Sequence, residues 1–242
     1  MAATALSQEA AYREVFPSGG TSGDTSLSSA GWQAHSGPAA IEQTSSGAVL
    51  VSGEIGRSGG TPGLNAGIQG SAQGARGFMI SSDEALSGLN MLYWTNEYSI
   101  LTGQVESFQW YLGNASATES MRLAVAVTDG DGATSWFAST EAFTSAPKTT
   151  PNFPSQSELK TLLLAGSSFN NLIFSPGVAL SMGAPAGFLP EGTITGFGLY
   201  TDAMSDTQRI DTFTINQVPE PSTALLGLAG MIALSSVRRK RN

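Results

Sequence analysis

Short runs of alternating apolar and polar residues recur along this chain, separated by glycine, serine, proline and aspartate. Period-two alternation between such turn-forming residues predicts strands with one face turned inward. Residues 11–16 form the first, ended by Pro17 and the pair Gly19 and Gly20. Residues 31–35 make a short second strand, and 48–55 set Val49, Val51 and Gly53 against Leu50, Ser52 and Glu54. Residues 76–81 place Phe78 and Ile80 on one face, and 89–98 are rich in aromatics. In residues 105–112, Val105, Ser107, Gln109 and Tyr111 alternate with Glu106, Phe108, Trp110 and Leu112.

The clearest local pattern follows. Residues 121–128 put Leu123, Val125 and Val127 opposite Arg122, Asp129-Gly-Asp-Gly supplies a turn, and 134–139 return as the partner strand. Residues 155–164 read as a short helix, with Ser157 as cap, Leu159, Leu162 and Leu163 at helical spacing, and Gly166 as stop. Residues 169–174, 193–201 and 209–215 complete the strands. Their inward residues Ile194, Phe197, Leu199, Ile210, Phe213 and Ile215 break strict alternation. The glycine-rich stretch 56–77 is too polar for regular structure over most of its length, and no repeat of fixed period emerges. Many short strands, one small helix and loose loops predict an all-β antiparallel sandwich of jelly-roll type over residues 11–216. The strand texture of 105–116, of the strand from Met121, and of 196–200 with 209–215 resembles galactose-binding-like and concanavalin-like carbohydrate-binding domains. That resemblance implies first and last strands side by side, residues 11–16 against 209–215.

Beyond residue 216 the pattern changes. Residues 217–223 are a linker containing Val218, Pro219, Glu220 and Pro221, and residues 224–237 are an uncharged apolar run. Arg238, Arg239, Lys240 and Arg241 close the chain. The prolines favour an extended, unpaired segment that an enzyme cleft can accept. An apolar run followed by cations predicts a single transmembrane helix with residues 238–242 as a cytoplasmic tail. Length argues the other way: about 15 residues at ~1.5 Å each span about 22 Å, short of a ~30 Å hydrocarbon core, as a buried helix would be. The missing polar face and the cations, which can snorkel to the interface, favour lipid.

Val218-Pro-Glu-Pro221, a short apolar segment and an Arg-rich end resemble the PEP-CTERM sorting signal of Gram-negative bacteria. The resemblance implies an exosortase as processing partner, passage through inner-membrane lipid, and a final place in the cell envelope or exopolysaccharide matrix. It covers the last quarter-hundred residues and says little of the body's activity.

Composition narrows the rest. The 242 residues carry 19 acidic and 11 basic side chains; with the tail's four cations and Glu220 set aside, the body has net charge −11. Such a body lacks the clustered cations that nucleic acid demands. With no cysteine, disulfides, thiolate metal sites and a sulfur nucleophile are excluded. The 29 glycines and 12% charged residues suit a displayed β protein. Residues 1–10 lack the basic and apolar regions of an export signal, yet Ala2-Ala-Thr-Ala-Leu-Ser7 resembles the small-residue end of one, so the expected true start lies upstream of Met1.

Candidate chemistry is sparse. His35 is the single histidine and has no nucleophile-elbow pattern to accompany it, so a strand-edge imidazole near Trp32 is the expected role. Glu54, Glu97, Glu106, Glu119, Asp202 and Asp211 are the carboxylates from which a glycosidase pair would be drawn, but spacing singles out none of them. Asp129 and Asp131 are candidate calcium ligands, as are Asp202 and Asp206, although a plain hairpin turn accounts for the first two and no other cofactor is expected. Sugar binding would use Trp32, Trp94, Trp110 or Trp136, with Tyr93 and Tyr111, because a pyranose C–H face packs on an aromatic ring. Trp110 and Tyr111 point to opposite faces of one strand. The glycosylation pattern Asn114-Ala-Ser116 is read as chance. The sequence therefore points to a non-enzymatic, exported structural protein. A carbohydrate-binding module is the first alternative and a glycan-active hydrolase or lyase the second.

Overall fold

The computed structural model describes residues 10–15, 31–37, 41–44, 47–50, 66–70, 77–81, 89–114, 120–145, 158–175, 178–204 and 208–219. In chain order the strands begin with β1 (Ala10–Glu14), β2 (Trp32–Gly37), β3 (Ile41–Thr44), β4 (Gly47–Leu50), β5 (Ala66–Gly70) and β6 (Gly77–Ser81). There follow β7 (Leu89–Thr95), β8 (Ile100–Leu101), the 3-10 turn Thr102–Gln104, β9 (Val105–Asn114), β10 (Arg122–Thr128) and β11 (Thr134–Ser139). The last are β12 (Glu158–Leu163), β13 (Phe169–Ser175), β14 (Ala179–Gly187), β15 (Thr193–Met204) and β16 (Gln208–Gln217).

Two antiparallel sheets make a sandwich. Sheet A has the order β12-β9-β16-β6-β5, with β1 also on β16; sheet B has the order β14-β13-β11-β10-β15-β7-β2, with β8 on β15. The β3–β4 hairpin stands apart. First and last strands do lie together, Arg13 opposite Thr214 and Glu14 opposite Phe213. The hairpin of β10 and β11 also forms as expected, Thr128 opposite Thr134.

The core between the sheets is aromatic. Trp32, Phe108, Trp110, Phe197 and Phe213 are fully buried. Phe213 of sheet A stacks on Phe197 of sheet B at 5.5 Å and meets Trp32 edge-on, also at 5.5 Å. Each such side chain contributes roughly 1.5–3 kcal/mol through burial, and ring pairs add a further ~0.5–1.5. With no disulfide to assist, this layer carries the fold.

Two β-bulges explain the broken alternation seen in the sequence. In β16 the register on β9 shifts between Asp211 and Thr214, and Thr212 has φ +48°. The extra residue reverses the parity, so that Ile210, Phe213 and Ile215 all reach the core. The same bulge marks where β16 changes neighbours, from β6 at residues 208–210 to β1 at 213–216. In β15 a shift between its partners Ala126 and Val127 leaves Ile194, Phe197 and Leu199 inward together.

One expectation needs correction, and three features add to the sequence reading. The helix over residues 155–164 does not form in its described part: residues 158–163 are the edge strand β12, paired with β9. Backbone pairing wins over helical spacing here, because a strand sends Leu162 inward and leaves Leu159 and Leu163 exposed at 51% and 58%. The glycine-rich stretch contains β5, held by β6. Strand β14, not foreseen, lies at the edge of sheet B, where Pro185 is tolerated because one side of the backbone needs no partner. Finally, β16 runs through Gln217, opposite Val105, one residue beyond the strand end read from the sequence. The predicted transmembrane run 224–237 lies outside the described residues. No helix among the described residues is long and apolar enough to cross a membrane.

Candidate functional site

The face of sheet B turned away from sheet A carries a second apolar cluster. Alternation brings Leu92 and Trp94 of β7, Ala124 of β10, Trp136 and Ala138 of β11, and Tyr200 of β15 to this side. Leu172 and Phe174 of β13 and Leu180 and Met182 of β14 join them. Trp94 and Trp136 meet edge-on at 5.2 Å, and Phe174 packs edge-on against both, at 6.1 and 5.2 Å. His35 of β2 lies 6.1 Å from Trp94 and 5.3 Å from Phe174.

The His35–Phe174 contact reveals the shape of the sheet. Strands β2 and β13 are five steps apart in sheet order, about 24 Å across a flat sheet at ~4.8 Å per step. Rings 5.3 Å apart require the sheet to roll until its two edges approach. Two polar contacts hold the roll closed: Asn90 Nδ2 of β7 donates to the Leu180 carbonyl of β14 at 2.9 Å, and a Met182 backbone hydrogen bond reaches the Tyr200 phenol. The outer face of sheet B is thus a concave surface, filled by its own rings toward β14.

Small residues make room for these rings. A side chain at Gly198 would run into the Tyr93 carbonyl, so that position requires glycine, and one at Gly196 would stand 3.3 Å from Trp136 Cη2, so the ring would have to give by a few tenths of an ångström. Beside Trp136 runs a ladder of hydroxyls: Thr128 Oγ1 lies 2.8 Å from Thr134 Oγ1 and 2.9 Å from Thr195 Oγ1. Trp94, Trp136, Thr128 and Thr195 are partly exposed and Thr134 is exposed.

At the other end of the face, the buried Tyr200 phenol donates to Asp202 Oδ1, and Arg122 Nε lies 3.7 Å from Asp202 Oδ2. Arg122 also donates to the carbonyls of Ser139, at 3.1 Å, and Thr140. Burial, then the neighbouring carboxylate, pushes the Tyr200 phenol far above its ordinary range, so it remains a neutral donor.

The sequence candidates separate sharply. Trp32, Tyr93 and Trp110 are fully buried in the inter-sheet core, and their rings offer no face to a ligand. Trp32 Nε1 donates to the Tyr12 phenol at 3.3 Å, and burial raises that phenol to about 12. Tyr111 lies half-buried on the opposite, outer face of sheet A. Only Trp94 and Trp136, of the four tryptophans, come together where solvent reaches them. The buried Trp94 Nε1 has no acceptor among the described residues.

The described carboxylates are spread over the molecule. Asp202 is engaged by Tyr200 and Arg122, Asp211 accepts from Thr212 Oγ1 at 3.0 Å, Glu97 is exposed beyond β7, and Glu106 is half-buried in β9. Asp129 Oδ1 accepts from the backbone N–H of Asp131 at 3.0 Å and of Ala133 at 2.9 Å, which is a turn-closing role. Among the described residues, no group of three or more His, Asp or Glu gathers as for a metal. His35 Nε2 lies 3.3 Å from Gln33 Oε1 within the aromatic cluster. Val218 and Pro219 are exposed at the end of β16. Glu54, Glu119, Ser116, Asp206, Glu220, Pro221 and the cations Arg238, Arg239, Lys240 and Arg241 lie outside the described residues. Sequence reasoning missed Phe174 and the threonine ladder, though glycine at alternate positions 196 and 198 of a strand is a signal of close approach.

No protein-family model matches this chain, and no curated protein matches it. Among solved structures, it is similar to the CBM22-1 xylan-binding domain of Paenibacillus barcinonensis Xyn10C, at 11% identity over 87% of this chain and 96% of that one, with a TM-score of 0.41. It is also similar to the family 11 carbohydrate-binding module of the cellulosomal cellulase Lic26A-Cel5E of Clostridium thermocellum, at 12% identity over 88% and 99%, TM-score 0.43. A third likeness is to the mannan-recognising carbohydrate-binding module TmCBM27, at 10% identity over 88% and 100%, TM-score 0.36.

Proposed function

We propose that this chain is a non-catalytic glycan-binding β-sandwich, carried to the cell envelope by its C-terminal tail. The observation that supports binding is the pairing of Trp94 and Trp136, partly exposed at 5.2 Å, on one face of sheet B beside three threonine hydroxyls. An apolar ring takes the C–H face of a sugar, and hydroxyls exchange hydrogen bonds with its rim. The charged groups described on that face, Arg122 and Asp202, face each other, so the ligand class is an uncharged polysaccharide. The tail reading rests on Val218-Pro-Glu-Pro221, the apolar run and the four cations, with an exosortase as processing partner.

Affinity electrophoresis and titration calorimetry with neutral β-glucan, xylan and mannan test the binding. Trp136→Ala is expected to weaken it at least about tenfold, as a loss of ~1.4 kcal/mol or more requires, with the near-ultraviolet circular dichroism of the Trp32 core retained. Unchanged affinity in a folded variant would exclude this face. Binding to none of these polymers would instead favour the purely structural, matrix-associated role, a reading supported by the rings packing edge-on against one another toward β14.

A further inference from the structure

The chain leaves the sandwich at one defined end of the body. Gln217, the last residue of β16, pairs with Val105. One residue further, the Val218 N–H still donates to the Gln104 carbonyl at 2.9 Å. The exit is therefore tied to the corner formed by Leu101, the 3-10 turn Thr102–Gln104 and the start of β15, where Leu101 pairs with Thr193 and Thr102 N–H donates to the Gly192 carbonyl at 3.0 Å. At ~2 Å rise per residue of a 3-10 turn and ~4.8 Å between hydrogen-bonded neighbours, Leu101 and Val218 stand roughly 11 Å apart or less.

We propose that this corner rests on the lipid surface while the tail is inserted, with Leu101 and Val218 entering the interface. The inference depends on the tail anchor proposed above. Residues 219–223 separate the corner from the apolar run, and fully extended they span at most about 20 Å. The ten residues of β16 reach ~33 Å, so the opposite end of the body cannot approach the bilayer unless the molecule lies on its side. Exposed apolar side chains occur at both ends, Phe188 at 71% away from the corner, so the place where the tail leaves selects the end and exposure only supports it. Single exposed apolar residues are ordinary. Here Leu101 is 52% exposed and Val218 48%, and both stand where the chain turns toward an uncharged run of its own. Glu191 and Glu106 stand next to the corner in the chain and the Asp129–Asp131 turn follows Thr128, opposite Thr193, so anionic lipid is repelled and the contact is through Leu101 and Val218 with zwitterionic lipid.

The absence of cysteine makes the test direct, because one introduced thiol carries the only label. Full-length chain bearing bimane at Leu101→Cys, or separately at Gln104→Cys, is reconstituted in phosphatidylcholine vesicles containing nitroxide-labelled phosphatidylcholine. Ala142→Cys, exposed at the other end of sheet B, is the control. Quenching by at least twofold at positions 101 and 104, with little at 142, is the expected result. Equal quenching at all three sites, or none at 101 and 104 in chains that float with the vesicles, overturns the orientation. Failure of the folded chain to float overturns the anchor itself, and this inference with it.

Discussion

Asp129 shows how one side chain can resemble a ligand set in sequence and serve as a turn in structure. Its Oδ1 closes the β10–β11 hairpin through two backbone N–H groups, and Gly132 takes the left-handed φ of +83° that the turn needs. Asp129→Ala should cost about 1 kcal/mol in urea unfolding, and Asp131→Ala close to nothing. A shared calcium ion would make the two losses similar and dependent on added calcium. Tyr12 carries a pH effect of defined sign. Burial raises its phenol to about 12 in the fold against about 10 when unfolded, so the stabilisation is complete below pH 10. It is lost as pH climbs through 12, because only the unfolded chain gains by ionising earlier. Absorbance titration of Tyr12→Phe should lack the component near pH 12, and its stability should fall less steeply above pH 10.

At the scale of elements, what was legible followed from parity, and what was not followed from pairing. Alternation in Leu123, Val125 and Val127 identified β10, and Asp129-Gly identified its hairpin, because both signals are local. The parity breaks in β15 and β16 were visible as residues but unreadable as bulges, since a bulge is defined by the partner strand. Residues 158–163 misled for the same reason: helical spacing of leucines is a local preference, and β9 overrides it. The two readings of this element differ in a measurable way. A helical stripe would make Leu159, Leu162 and Leu163 comparable, whereas in β12 only Leu162 is buried, at 1% exposure. Leu162→Ala should destabilise by ~2–5 kcal/mol, and Leu159→Ala and Leu163→Ala by less than about 0.5. The candidate face was half legible. Four tryptophans were named, but which two share a surface depends on β7 and β11 lying on either side of β15 and β10, information held by no single stretch.

Across the whole molecule, the rolling of sheet B follows from contacts between strands far apart in sheet order, His35 to Phe174 and Asn90 to Leu180, which no window of sequence contains. The same holds for the junction of body and tail. Composition separates an acidic body from a cationic end, but the tie from Val218 to Gln104 places the boundary after Val218. A deletion of residues 220–242 therefore respects the fold, whereas one from Val218 onward removes the last backbone contact of β16. The shorter deletion should leave the melting temperature within about 2 °C of the full chain, since nothing described in the core depends on the tail. In a host with the sorting machinery, it should also move the protein from the envelope fraction to the soluble one. A large fall in melting temperature would mean that the apolar run packs on the body as a core helix. Unchanged fractionation with an unchanged melting temperature would mean that the body reaches the envelope by its own contacts, with the aromatic face of sheet B as the surface to examine for them.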